Sequence, residues 1–443
     1  VKLGRPSNLT LAAFAGPSLP FAALGLPLIV HLPAFYASSV GLPLEQVSLM
    51  FFVARTLDIG ADPFLGGWMD RTRSRFGRFK PWLVAGALPM MLATWLLFMP
   101  PKGANLVFMT LCLLAVYVTF SIVVLAQTSW AATLSTDYDE RSRVYGWWQF
   151  GNMVGMLLVL LLPPIISFRG GTQAQGVAAM GWFIVVLLPI TVGIAIWKVP
   201  EPNPDTECHA TIADYFSFFK LSSVRRLMLT DLLYGLAPGI TGALALFYLQ
   251  AVKHVSEGQA SILIFCYFVG GLIGAPIWGW AATKFGKHKA LAVAGLVYAA
   301  AYLVVWQAPA GNIVAIILSM LFVGIPFGAG QILLRAMMAD VGDEERLSSG
   351  EDRTGMMYAL LTLTNKVGTA LSSAVLFVLS LSHFNQADLT HNSPAALNTL
   401  TFLFVALPIL VLLVSSAIIN VFPIDEARQK KTRAALEARD GPR

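Results

Sequence analysis

Long apolar runs separated by short polar ones recur along the whole chain. Twelve can be drawn, near 9–37, 44–70, 80–100, 104–134, 144–168, 176–198, 224–252, 258–282, 288–307, 311–340, 354–382 and 395–422. Each holds the ~20 residues a helix needs to cross ~30 Å of hydrocarbon. The pattern predicts an all-α membrane protein with twelve transmembrane helices. The longest polar break, 200–226, divides the runs six and six. The expected organisation is an N-terminal six-helix bundle over 1–199, a cytoplasmic linker over 200–226, a C-terminal six-helix bundle over 227–422 and a charged cytoplasmic tail over 423–443. The tail, DEARQKKTRAALEARDGPR, reads as a short helix or a disordered segment whose basic residues skirt lipid headgroups.

Composition narrows this further. With 56% hydrophobic and 12% charged residues and a mean hydropathy of +0.69, the chain is not a string of soluble domains. The net charge of +6 does not point to nucleic acid, because the lysines and arginines sit in short loops between spans. If the 70–80 loop is cytoplasmic, only Lys102, Arg169 and Lys253 fall on the far side, while Arg55, Arg335 and Lys366 lie within spans. That bias places both termini in the cytoplasm. Cys112, Cys208 and Cys266 have no paired spacing, so neither a disulfide framework nor a metal site is expected. Lys2 and Arg5 precede a long first span without a small-residue cleavage site, which reads as no removable signal peptide.

Chemistry concentrates in 51–82, FFVARTLDIGADPFLGGWMDRTRSRFGRFKPW. Arg55, Asp58 and Asp62 stand at i, i+3 and i+7 and share one helix face. Charges inside a membrane helix cost ~2.5–3.5 kcal/mol each on insertion scales and persist where they face a bundle interior or a cavity. Two carboxylates one turn apart repel each other unless a cation neutralises them, so the pair is responsive to Na⁺ or to a proton. The bland alternative is a structural salt-bridge cluster with Arg55 or Lys366.

An internal repeat relates the halves. DPFLGG in the second span is echoed by APIWGW in the eighth, with Pro63 and Pro276 213 residues apart. GRFKPWLVAG is echoed by GKHKALAVAG, and YGWWQFGNMVG from Tyr145 by YALLTLTNKVG from Tyr358. The repeat is asymmetric where it matters: Asp62 faces Ala275, and Lys366 faces Met153. The acids belong to one half and the lysine to the other, as a charge-coupled site would need.

DPFLGGWMDRTRSRFGRFKPW, with VARTLDIGADP before it, ADVGDEERLSSGEDRTG at 339–355 and YALLTLTNKVG at 358–368, resembles the signature of the glycoside–pentoside–hexuronide:cation symporter family. The resemblance covers all twelve spans. It implies a major facilitator fold of two pseudo-symmetric six-helix halves in a bacterial inner or plasma membrane, with rocker-switch alternating access driven by sodium or protons. Asp58 and Asp62 match the family's cation-binding carboxylates, Lys366 its eleventh-span lysine, and Trp130 a tryptophan near the sugar. Ala61 stands where the family has an asparagine and Val123 where it has a hydroxyl-bearing cation ligand. Ala126 replaces a sugar-binding aspartate, Phe21–Ala22 a lysine–aspartate pair, and Gly151 or a neighbour an arginine. Most sugar-anchoring positions are therefore apolar, and the missing amide and hydroxyl favour H⁺ modestly over Na⁺.

Other residues take roles on these grounds. Lys366 and Arg55 are expected to couple charge with the acids. Phe21, Gln127, Trp130, Gln149, Asn152, Tyr234, Gln331 and Asn365 are expected to line the substrate cavity, with Tyr248 and Arg335 as further candidates. Asp231 fits either that cavity or an interface beside Arg225 and Arg226. Asp70, Arg71, Arg75, Arg78 and Arg141 are expected to form a cytoplasmic gate with Asp340, joined by Arg73, Lys80, Asp139, Glu140, Asp343 and Glu344. Pro17, Pro20, Pro27 and Pro33 should kink the first span and expose carbonyls there. His31, in the same span, reads as a satisfied interior residue.

The expected function is cation-coupled symport of a small organic solute, a sugar or glycoside. A lysolipid transporter on the same fold is the first alternative, since the apolar positions suit an acyl chain, and a non-transporting membrane sensor is the second. No nucleophile–base set, metal spacing or phosphate loop points to an enzyme. No cofactor is expected beyond the coupling ion, and no metal beyond Na⁺ at Asp58 and Asp62. The partners are the solute and the bilayer, with the protein a monomer.

Overall fold

The computed structural model describes residues 6–72, 74, 76–134, 138–201, 218–350, 354–386, 388–389 and 391–440. Side chains at 60–63, 66–67, 70–71, 132–133, 138–142, 145, 331, 354–355, 359, 426, 433, 437 and 440 lie outside the described set. Among the described residues all regular structure is helical. In hydrocarbon a backbone amide has no water to bond, so a spanning segment must close its own hydrogen bonds.

The first span is four short helices, α1 (Asn8–Ala15), α2 (Ser18–Gly25), α3 (Pro27–Val30) and α4 (Leu32–Ser38). Its breaks follow the prolines, each of which removes a helix N–H. His31 sits at the α3–α4 junction, 4% exposed, and its Nε2 has no hydrogen-bond partner among the described residues. The expectation of a satisfied interior histidine does not hold for Nε2.

The rest of the first half is α5 (Leu44–Arg71), α6 (Lys80–Phe98), α7 (Leu106–Thr133), α8 (Tyr138–Leu160), α9 (Leu162–Phe168) and α10 (Gln173–Lys198). Polar caps start α7, where Asn105 accepts from Phe108 N–H, and α10, where Thr172 and Gln175 form a reciprocal box. The second half holds α11 (Ser222–Ala251), α12 (Glu257–Phe285), α13 (Lys287–Gln307), α14 (Ile313–Ser349), α15 (Thr354–Ser380), α16 (Pro394–Thr401) and α17 (Leu407–Asn420). A π-helical turn, Phe402–Ala406, joins the last two just before Pro408, where a missing N–H breaks the regular ladder. The tail forms α18 (Glu426–Asp440).

Eleven spans among the described residues are long and apolar enough to cross a membrane. The twelfth, α5, has 28 residues, about 42 Å of helix. Its charges set it apart from the others.

One boundary differs from expectation. α14 does not stop at 340 but continues to Ser349, because its polar extension keeps a helical register and ends on Gly350 with φ +80°. The tail is a helix packed on that extension. Asp425 caps its start, Arg428 pairs with Glu344, and Gln429 bonds Asp340.

The chain divides into two compact units. One is Val1–Glu207 with Ser256–Ile262 and Asn385–His391; the other is Cys208–Val255, Leu263–Phe384 and Asn392–Arg443. In the first, Phe14, Tyr36, Phe51, Phe98 and Trp130 fill the core. Helix α8 lies so close to α1 and α2 that a Cβ on Gly151 would stand 2.7 Å from Ala15 O, and one on Gly155 2.6 Å from Leu19 Cα. In the second, Gly368 of α15 takes the equivalent place beside Leu232 O of α11. Leu19 and Leu232, like Gly155 and Gly368, keep the 213-residue offset of Pro63 and Pro276. Elsewhere in that unit α12 and α14 cross backbone to backbone: a Cβ on Gly270, Gly274, Gly324 or Gly328 would collide with main-chain atoms of the other helix.

These contacts make a stability prediction. Gly155→Ala should lower the unfolding free energy by about 1–3 kcal/mol, because the Leu19 backbone must shift. Gly193→Ala on α10, whose added Cβ meets nothing, should not. Thermal unfolding of both variants in detergent is the check.

Candidate functional site

The charged face of α5 is met by hydroxyls from α7. Arg55 is 7% and Asp58 6% exposed. Arg55 Nε donates to Tyr117 Oη at 2.6 Å and its guanidinium lies 5.7 Å from the Tyr117 ring centre. Ser121 Oγ donates to Asp58 Oδ1 at 2.5 Å. Residues i, i+3 on one helix thus meet i, i+4 on the other, and because both numbers rise together the helices run parallel. Each buried charge has a hydrogen-bonding hydroxyl, which a charge in low dielectric requires.

Sequence reasoning missed both hydroxyls. It placed the family's hydroxyl ligand at Val123, which is fully buried. Ser121, two residues earlier and on the α5-facing side, supplies the hydroxyl instead. The signal was present as two polar groups one turn apart, Tyr117 and Ser121, in an apolar run next to a span that carries an acid and a base. Asp62, on the same α5 face by register, has a side chain outside the described set.

Several expected cavity residues are built into the first unit. Gln127 is 1% exposed; its Nε2 donates to Phe14 O and Ser18 Oγ, and its Oε1 accepts from the Trp148 indole. Trp130 has no exposed surface, bonds Pro200 O and packs edge-on against Phe14. Phe21 is likewise in the core, at 2%. These three hold α1, α2, α7 and α8 together rather than standing on a wall. Gln149 and Asn152 are half-buried, with Asn152 Nδ2 on Trp148 O.

In the second unit, Tyr234 is buried with its hydroxyl on Pro326 O at 2.6 Å and its ring against Gly330. Asn365 is exposed and Lys366 half-buried. Asp231 is 9% exposed and accepts from Thr364 Oγ1 at 2.5 Å, while Arg226 reaches Val421 O. Asp231 is thus inside α11 rather than paired with the arginines at its start. Gln331 has a side chain outside the described set.

The expected gate is described only in part. Asp70, Arg71 and Arg141 have side chains outside the described set, as do Asp139 and Glu140, and Arg73 and Arg75 lie outside it altogether. Arg78 Nε bonds Met69 O. The backbone N–H groups of Arg78, Phe79 and Lys80 converge on the Glu201 carboxylate at the start of α6, a charge-matched cap. Gly77, at φ +106°, has that carboxylate where a side chain would be. Asp340 pairs with Lys287 of its own unit at 2.6 Å. Sequence reasoning overlooked both Glu201 and Lys287.

The sequence matches the family described as MFS/sugar transport protein over residues 13–426. The chain belongs to this family. Inner membrane symporter YicJ of Escherichia coli (strain K12) is 24% identical over 406 residues, covering 88% of this chain and 86% of the relative. Isoprimeverose transporter of Lactiplantibacillus pentosus is 24% identical, covering 90% and 85%. Glucuronide carrier protein homolog of Escherichia coli (strain K12) is 21% identical, covering 93% and 91%. Among solved structures, a bacterial homolog of the human lysosomal transporter Spinster, inward-facing and occupied, aligns with a TM-score of 0.69 at 14% identity, over 95% and 97% of the two chains. The nucleoside transporter NupG aligns with a TM-score of 0.64 at 14% identity, over 93% and 99%. These likenesses give the major facilitator fold. The resemblance to the glycoside–pentoside–hexuronide:cation symporters holds, and the protein is a membrane transporter, not an enzyme.

Removing a donor from a buried charge costs more than removing one from a neutral group. Ser121→Ala and Tyr117→Phe should each lower stability by about 1–3 kcal/mol, and Ser121→Thr should keep most of it. Chemical denaturation of the purified variants measures this.

Proposed function

We propose that this transporter is a cation-coupled symporter that imports a sugar or glycoside by alternating access. The observation that carries the coupling is the row on α5, where Asp58 and Arg55 are buried in a membrane-length helix and met by Ser121 and Tyr117. So costly a pair is kept where its charge is used. Asp58, with Asp62 one turn on, binds the ion; Ser121 adds an oxygen of the kind a hard cation prefers. Arg55 holds the opposite charge in place through Tyr117. Lys366, on α15, is the second unit's candidate for charge coupling. The names of the relatives, isoprimeverose transporter and glucuronide carrier among them, support a glycoside as cargo. The lysine and arginine bias supports termini in the cytoplasm.

Reconstituted protein, given a panel of radiolabelled pentosides, galactosides and glucuronides under an imposed Na⁺ or proton gradient, should accumulate at least one. Asp58→Asn and Asp62→Asn should each abolish accumulation and leave downhill exchange. Gradient-driven accumulation by both variants at the parent level would overturn the assignment. Which gradient drives the parent names the ion.

A further inference from the structure

The second unit holds a buried carboxylate that this coupling scheme does not use. Asp231 lies nine residues into α11, about 13 Å from its start. Its Oδ2 takes the Thr364 hydroxyl across the crossing with α15.

The first unit has the same crossing without an acid. Asp231 and Thr364 are 133 residues apart, and the 213-residue offset carries them onto Ser18 and Gly151. Those two do meet: a Cβ on Gly151 would stand 3.2 Å from Ser18 Cβ. One turn along, Gly155 with Leu19 and Gly368 with Leu232 repeat the match. A serine and a glycine are therefore enough to pack this crossing. An acid here adds a dehydration cost that packing does not ask for.

The threonine is placed to serve Asp231 in both protonation states. Thr364 Oγ1 has one proton and three acceptors in reach: Asp231 Oδ2 at 2.5 Å, Leu361 O at 2.9 Å and Leu360 O at 3.2 Å. When Asp231 is ionised, the hydroxyl proton points at the carboxylate. When a proton from water bonds to Oδ2, the acid donates to Oγ1 and the threonine proton turns back to Leu361 O. Both states are hydrogen-bonded, and they differ by one proton and the rotation of one hydroxyl.

The surrounding charges are few. Arg335 acts on Asp231 from α14, and Lys366 lies two residues past Thr364 on α15. α16, the π-turn and α17 carry no charged residue. On α11 itself the charges are Arg225 and Arg226, more than a turn away.

We propose that Asp231, with Thr364 as its hydroxyl partner, is a proton-binding site, contained in the second unit and separate from Asp58. Its use in transport rests on the symport reading; the binding of the proton does not, and is tested without a solute. Infrared difference spectra of the full-length protein in lipid, taken between about pH 5 and about pH 9, should show a protonated-carboxyl C=O band that titrates. Asp231→Asn should remove that band, Thr364→Val should move it, Thr364→Ser should keep it in place, and Asp58→Asn with Asp62→Asn should leave it. A titration identical in the parent and Asp231→Asn would overturn the proposal, as would a band lost only in the Asp58/Asp62 variant. Should Asp231→Asn not fold, Thr364→Val decides: an unshifted band sinks the assignment.

Discussion

A charge in hydrocarbon has to be met by the chain itself, and α5 is where this protein accepts that demand. The Arg55–Tyr117 and Asp58–Ser121 bonds fix the register of α5 on α7 as firmly as apolar packing fixes the others. They set which face of α5 is polar at Arg55 and Asp58. Slipping α7 by one residue would rotate both hydroxyls away by about 100° and leave a buried acid and base to find other partners. The polar row thus determines a helix pairing as well as a site.

The duplicated halves solve the same packing problems with opposite chemistry. Gly271 stands at the repeat position of Asp58, and a Cβ there would come within 2.8 Å of the Phe327 ring. Around it α12 and α14 close on glycines, with no space for a side chain between backbones. At the other crossing the order reverses: the first unit is closed at Ser18 and Gly151, and the second carries Asp231 and Thr364. Among the described residues each unit therefore has a buried acid–hydroxyl pair at a place where its twin is sealed. Duplication explains the helices, while the pairs are particular to each copy, since neither is found at its repeat-related position.

Much of this was legible in the residues. Long apolar runs locate the spans, because hydrocarbon thickness sets their length, but they do not mark a helix end where a polar extension keeps the register, as in α14. The prolines at 17, 20, 27 and 33 announce the broken first span. Asp58 and Arg55 stand out because acids and bases are rare in such runs. Their partners do not: Tyr117 and Ser121 raise no alarm in an apolar helix, and the hydroxyl was sought at Val123. Gln127 and Trp130 looked like cavity residues by type, yet both are buried and bonded within the unit. Polarity in a span shows that a group needs a partner, not whether the partner is a ligand or a neighbouring helix. Glu201 was hidden for a different reason, since a carboxylate that caps three amides looks in sequence like any acid after a span.

The Asp58–Ser121 bond also reframes the choice of ion. A serine that donates to a carboxylate can turn its proton to a backbone carbonyl and offer a lone pair to Na⁺, or accept a proton's worth of hydrogen bonding from a neutral acid. One hydroxyl is compatible with both. What separates the ions is the number of further oxygens within reach, because Na⁺ is held by several ligands and a proton by one. Ala61 brings no side-chain oxygen where the resemblance has an amide. In the proposed coupling site, selectivity is then a matter of how many oxygens join Asp58 and Ser121, and a single hydroxyl does not decide it.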